Sequence, residues 1–300
     1  MLTKPISRRS LLGLSAAGAA SLMLGGCSET RSDGKTEVEF VSYKREAVSI
    51  FEALMAEFNE SNDHIYLNFT SPNDAVTIMK TRFVREDYPD VVAIGGDASY
   101  ADFVDSNILA DMTEYPGMAQ VQQAYQDIMK SVTYVPMDGI YGVPYIANAA
   151  GMLYNKDMFA EKGWDIPETW DEFIALCEEI KAEGEVLPLY LGFLDTWTIL
   201  SPWNSILVDL VPQDHIRKVN AGEAKFADYY REPAEKLYQL LQYGEEGPFA
   251  YSYEDACTAF ARGQSAMFPC GSFAVPQILS ANPDMNVGLF AMPAADDPED

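Results

Sequence analysis

Basic residues are scarce. Twenty lysines and arginines face 46 aspartates and glutamates, a formal net charge of −26 over 300 residues. A surface this acidic repels phosphate backbones, which excludes nucleic acid as a partner. Histidine is scarcer still, with only His64 and His215. Each follows an aspartate, but sequence neighbours do not make a catalytic dyad, because a base must reach a substrate and be oriented by a third group. Both histidines read as solvated surface residues. The chain has no G-x-S-x-G, no H-E-x-x-H and no phosphate-cradling glycine loop, and Gly95-Gly96-Asp97 is too short to count as one. No constellation passes as a catalytic site, so no enzyme is expected. Counting carboxylates does not remove a glycosidase pair, and a secreted carbohydrate-acting enzyme stays as a minor alternative. No cluster of acidic residues stands out at one predicted loop, so neither metal nor cofactor is expected.

Cysteine is also sparse: Cys27, Cys177, Cys257 and Cys270 match no zinc or redox spacing. Cys177 falls on the apolar face of a predicted helix and reads as a buried, inert thiol. Cys257 and Cys270 can pair or stay reduced, and their spacing does not decide between the two. Beyond residue 26 no apolar run is long enough to span a bilayer. Before it, Arg8 and Arg9 precede an apolar, small-residue run over 11–26 with no acidic residue, the layout of an export signal. The paired arginines resemble a twin-arginine signal, and Leu24-Gly25-Gly26-Cys27 resembles a bacterial lipobox. That resemblance implies cleavage of residues 1–26 and acylation of Cys27, a palmitate-type anchor that holds the protein to a membrane without spanning it. Residues 27–36 then read as the lipidated cysteine and a flexible tether.

What remains is ample for folding. Hydrophobic residues make up 48% of the chain, and its length suits two lobes. Alternation at Val38 and Phe40, and again at Ile65, Leu67 and Phe69, predicts strands. Val48, Phe51, Leu54, Met55 and Phe58 form a helical stripe, as do Ala75, Ile78, Met79, Arg82 and Phe83. A short strand over 91–94 and a helix through Phe103 complete three strand–helix units, the pattern of a parallel sheet covered by helices. Ligands bind such sheets beyond the carboxyl ends of the strands. That singles out the loops 42–44, 71–74 and 95–99, with Tyr43, Lys44, Asn73, Asp74 and Asp97. Further on, Thr169 and Glu172 predict a capping box for a helix over 168–183 that ends at Gly184. Helices near 234–243 and 254–262 and strands over 265–268 and 287–292 follow.

One long stretch is recognisable. It runs from Gly151-Met152-Leu153-Tyr154-Asn155-Lys156-Asp157-Met158-Phe159 through Pro167-Glu168-Thr169-Trp170-Asp171-Glu172-Phe173. It resembles the central segment of the extracellular solute-binding proteins of ABC-type sugar importers, the maltose-binding-protein-like family. Tyr88-Pro89-Asp90-Val91-Val92, Ile108-Leu109-Ala110-Asp111-Met112, the run 259–267 and Gly271-Ser272-Phe273 resemble further blocks of that family, with Phe273 where a tryptophan is usual. The resemblance implies a two-lobed α/β periplasmic-binding-protein-like fold with a ligand cleft: lobe 1 over 37–143, a hinge over 144–150 and lobe 2 over 151–300. Family members continue past the position that 289–293 resembles, so the C-terminal part of the fold is expected to lie beyond residue 300. The implied function is a substrate-binding lipoprotein, extracytoplasmic and monomeric, that delivers a carbohydrate to a membrane permease. A surface adhesion or receptor lipoprotein on the same fold is the alternative.

A sugar presents hydroxyls at its edge and C–H patches on its faces, so a site for one needs planar polar groups and aromatic platforms. The ligand-binding candidates are Tyr43, Lys44, Asn73, Asp97, Tyr145, Trp197, Trp203 and Phe273, with Asn148 and Asn204 as further polar candidates. Trp197 and Trp203 flank Ser201-Pro202 in a segment of poor helical period, where an indole in a loop is expected to meet a ligand. Trp164 and Trp170 are assigned to packing.

Overall fold

A computed structural model describes residues 31–296 apart from residue 136. The export signal, Cys27 and the first part of the expected tether lie outside the described residues. The chain divides into two compact units, one ending at Val143 and the other beginning at Pro144.

The first unit is a three-stranded parallel sheet in the order β2-β1-β3. Its strands are β1 (Thr36–Ser42), β2 (Ile65–Thr70) and β3 (Val91–Ala93). Helices α1 (Val48–Ser61) and α2 (Ala75–Val84) lie between the strands in the chain, and α3 (Ala98–Asp105) follows β3. A period of two sends neighbouring residues of β1 to opposite faces of the sheet. On one face Phe40 meets Phe51 of α1 and Phe69 of β2, with ring centroids 5.5 and 5.4 Å away. On the other, Val41 joins Ala75, Met79, Phe83 and Phe103 in a core built by α2 and α3. Leu54, expected on the buried stripe of α1, is exposed instead. Arg82, placed by period on the stripe of α2, ion-pairs with Glu39 and Asp87. Residues 31–35 are not a free tether. Gly34 N–H donates to Arg31 O, and the Arg31 guanidinium lies 3.6 Å from the Tyr66 ring centroid. The unit continues through α4 (Gln123–Ser131).

The second unit has a mixed sheet, ordered β5-β6-β4-β7. Its strands are β4 (Met152–Asn155), β5 (Leu187–Leu189), β6 (Ser265–Phe268) and β7 (Val287–Phe290). Strand β4 runs antiparallel to both neighbours, and β5 is parallel to β6. Alternation again divides the core. Met152 and Met267 face one cluster, with Phe173 and Ile180, and Leu153 and Phe268 face another, with Phe260 and Ile278. Helix α5 (Lys156–Lys162) precedes α6 (Trp170–Glu183). The Thr169 hydroxyl caps α6 by accepting from Glu172 N–H, while the Glu172 carboxylate accepts from Glu168 N–H, one residue earlier than a standard capping box requires. Gly184 ends α6 at φ +70°. The chain then forms α7 (Leu200–Leu210), α8 (His215–Asn220), α9 (Phe226–Leu240), α10 (Tyr253–Ala261) and α11 (Val275–Ala281). Cys177, Cys257 and Cys270 are buried and carry no disulfide.

Candidate functional site

The three loops named from strand order emerge at the carboxyl ends of the first unit's parallel strands. Tyr43 N–H donates to Ala93 O, tying the β1 loop to the β3 end, and the Arg45 guanidinium donates to Ser71 O, tying it to the β2 loop. Tyr43 is half-buried and packs on the Val41–Phe103 core. Lys44 is buried, with its ammonium 2.8 Å from Glu46 Oε1. Asn73 is exposed, beside Asp74 at φ 53°. Asp97 is exposed and caps α3, its carboxylate accepting from Ser99 N–H at 2.8 Å.

In the second unit, three aromatic rings from three separate segments converge. Trp197 sits in a 3-10 turn (Thr196–Ile199), Tyr253 opens α10, and Phe273 lies in a second 3-10 turn (Ser272–Ala274). The Trp197 centroid is 5.0 Å from Tyr253 and 5.9 Å from Phe273, and those two are 6.2 Å apart. Trp197 is 45% exposed although it packs on two rings, so part of its indole faces solvent. A bulky apolar surface left open beside polar groups is the arrangement that a sugar face requires. Asp195 braces the cluster: its carboxylate accepts from Tyr253 N–H at 2.8 Å. Tyr145 and Asn148, both exposed, lie in the segment that reaches Phe273's turn. Ala150 bridges Gly271, Ser272 N–H donates to Ala149 O, and the Ser272 hydroxyl accepts from Ala149 N–H. Sequence reasoning therefore named Trp197 and Phe273, which the fold brings together, but missed Tyr253 and Asp195. Their available signal was Tyr251-Ser252-Tyr253, where the Ser252 N-cap places a tyrosine on each side of a helix start.

Trp203 lies elsewhere. The 196–210 segment is helical rather than a loop, and Trp203 packs edge-on against Tyr230 of α9, centroids 5.7 Å apart. Trp197 packs on Tyr253 and Phe273 and Trp203 on Tyr230, so the two tryptophans have different neighbours. Asn204 on the same helix is exposed. His215 is no simple solvated histidine: its ring nitrogens lie 2.7 Å from Pro212 O and 2.8 Å from the Tyr230 hydroxyl. Trp164 and Trp170 are buried among the second unit's core residues. Among the described residues no group of histidine, cysteine or acidic side chains is placed to hold a metal ion.

A family model described as bacterial extracellular solute-binding protein matches residues 42–300. The multiple sugar-binding protein of Streptococcus mutans is 30% identical over 296 residues, which cover 94% of this chain and 69% of that protein. The solved structure of RafE in complex with raffinose is similar at TM-score 0.70 and 26% identity, covering 87% of this chain and 68% of the other. The apo form of RafE from Streptococcus pneumoniae gives 0.68 and 26%, covering 92% and 70%.

Proposed function

Because the chain belongs to the bacterial extracellular solute-binding protein family, we propose that it is the receptor of an ABC-type importer for oligosaccharides. The observation that carries this reading is the Trp197–Tyr253–Phe273 cluster, an open aromatic surface with Asp195 behind it. The pyranose face stacks on the Trp197 indole, and Tyr145 and Asn148 offer planar or hydroxylic partners to the hydroxyl rim. The names of two relatives, one a multiple sugar-binding protein and one solved with raffinose, support the substrate class. Function is binding rather than catalysis. Export, cleavage before Cys27 and acylation of that cysteine would hold the protein, extracytoplasmic and monomeric, at the bacterial cell membrane, where a permease receives the sugar. No helix among the described residues is long and apolar enough to cross a membrane, and an acyl anchor requires none.

The test is a thermal-shift screen of the soluble chain from residue 28 against raffinose, other sugars, polyols, amino acids and polyamines. A ligand that binds only the folded state raises Tm by mass action. A rise with oligosaccharides alone supports the reading. A rise with amino acids or polyamines alone replaces the substrate class, and no rise in a folded chain favours the adhesion role.

A further inference from the structure

Resting on the sugar-receptor reading, we propose that Glu245 is a positioning residue that holds the Trp197 platform in its binding geometry. The Glu245 side chain is 6% exposed, in the loop that follows α9. Its two carboxylate oxygens accept from two successive backbone amides, Leu191 N–H and Gly192 N–H, each at 2.8 Å. Consecutive amides of an extended strand point in opposite directions. Here Gly192 has φ +61°, which turns both toward one anion. A side chain at Gly192 would put its Cβ 2.6 Å from that of Ala256, so only glycine permits the turn. Among the described residues no basic side chain pairs with Glu245, which leaves the amides as its charge partners.

The clamp completes a zipper. The N–H groups of residues 189–194 are taken in order by Tyr243 O, Met267 O, the two Glu245 oxygens, Pro248 O and Tyr251 O. From it the path to the platform is short. The buried Thr198 hydroxyl lies 3.0 Å from Gly192 O and 2.8 Å from Asp195 O, and Thr198 adjoins Trp197. Asp195 in turn accepts from Tyr253 N–H. Four hydrogen bonds thus connect the Glu245 carboxylate, through Thr198 beside Trp197 and through Asp195, to Tyr253. Holding the rings in place before the sugar arrives removes an ordering cost from binding.

The experiment uses the full-length chain with raffinose as probe. E245Q puts an amide N–H₂ against a backbone N–H, and T198V removes the linking hydroxyl while keeping its shape. Each is expected to weaken raffinose binding about tenfold at a temperature where circular dichroism shows both variants folded. The double variant is expected to bind no worse than E245Q, because both changes break one chain of bonds. Labelling with 5-fluorotryptophan gives a readout that needs no sugar. The Trp197 resonance, assigned through W197F, is expected to shift in both variants while those of Trp164 and Trp170 stay in place. Wild-type raffinose affinity in folded E245Q overturns the positioning role. If E245Q does not fold, wild-type affinity in T198V does so. If the unaltered chain binds no raffinose, the sugar reading loses its support, and an unmoved Trp197 resonance then decides against Glu245.

Discussion

Replacing Trp197 by alanine separates the platform from the rest of the fold. A tryptophan side chain carries up to about 250 Å² of surface, so an exposure of 45% leaves about 110 Å² facing solvent. A sugar stacked on one face would cover about half of that. At about 25 cal/mol per Å² this is worth about 1.4 kcal/mol, or tenfold in Kd. The buried remainder of the ring packs on Tyr253 and Phe273, and two such contacts contribute about 0.5–1.5 kcal/mol each to stability. W197A should therefore fold with a lowered Tm and bind raffinose about tenfold more weakly by isothermal titration. A folded W197A with unchanged Kd would refute the stacking argument, because no other change is made to the exposed surface.

Trp203 provides the contrast. W203A should lower Tm by removing the contact between α7 and Tyr230, while Kd for raffinose measured below its melting range stays at the wild-type value. Burial pushes the thiols of Cys177 and Cys270 well above the usual cysteine range, so neither should react with a thiol reagent until the chain is unfolded in denaturant. Acid should destabilise the first unit. Asp102, held low chiefly by Lys80, and Asp111, held low by the Thr113 hydroxyl, bind fewer protons folded than unfolded, so their stabilisation is present above the ordinary aspartate value of 3.8 and is lost as pH falls below it. Asp209 runs the other way. Burial raises its pKa, so its contribution is present at low pH and is lost as pH rises through the raised value. D209N keeps an oxygen for Ala294 N–H, and its Tm relative to wild type should climb between pH 4 and pH 7 in matched thermal melts.

Much of the first unit was legible because β1 and β2 alternate and α1 and α2 show a 3.6-residue stripe. The doubling of the core across β1 follows from neighbouring Phe40 and Val41 alone. Strand β6 was read at its observed limits, and the start of α10 was read one residue late, since Ser252 is a strong cap. The 196–220 region was not legible. Its helices α7 and α8 are short, and α7 is apolar on several sides because it packs on α9, so its period is blurred. Helix α9 was read from residue 234, but it starts at Phe226 and carries Pro233 in its interior, a residue that ordinarily argues for a boundary. The sequence alone named Trp197 and Phe273 as separate loop aromatics. Their meeting with Tyr253 depends on contacts between residues 56 and 76 positions apart, which no local period encodes. Nothing in the sequence marked Lys44 as buried with its ammonium beside Glu46.

The most direct test of the account is a tryptophan-fluorescence titration of the soluble chain with raffinose, run in parallel on W197F. The account predicts a saturable change in emission as the sugar covers the exposed indole, and its loss in W197F while thermal shift still reports residual, weaker binding. A full emission change in W197F, or raffinose binding that leaves wild-type emission untouched, would contradict the assignment of Trp197 as the surface that receives the sugar.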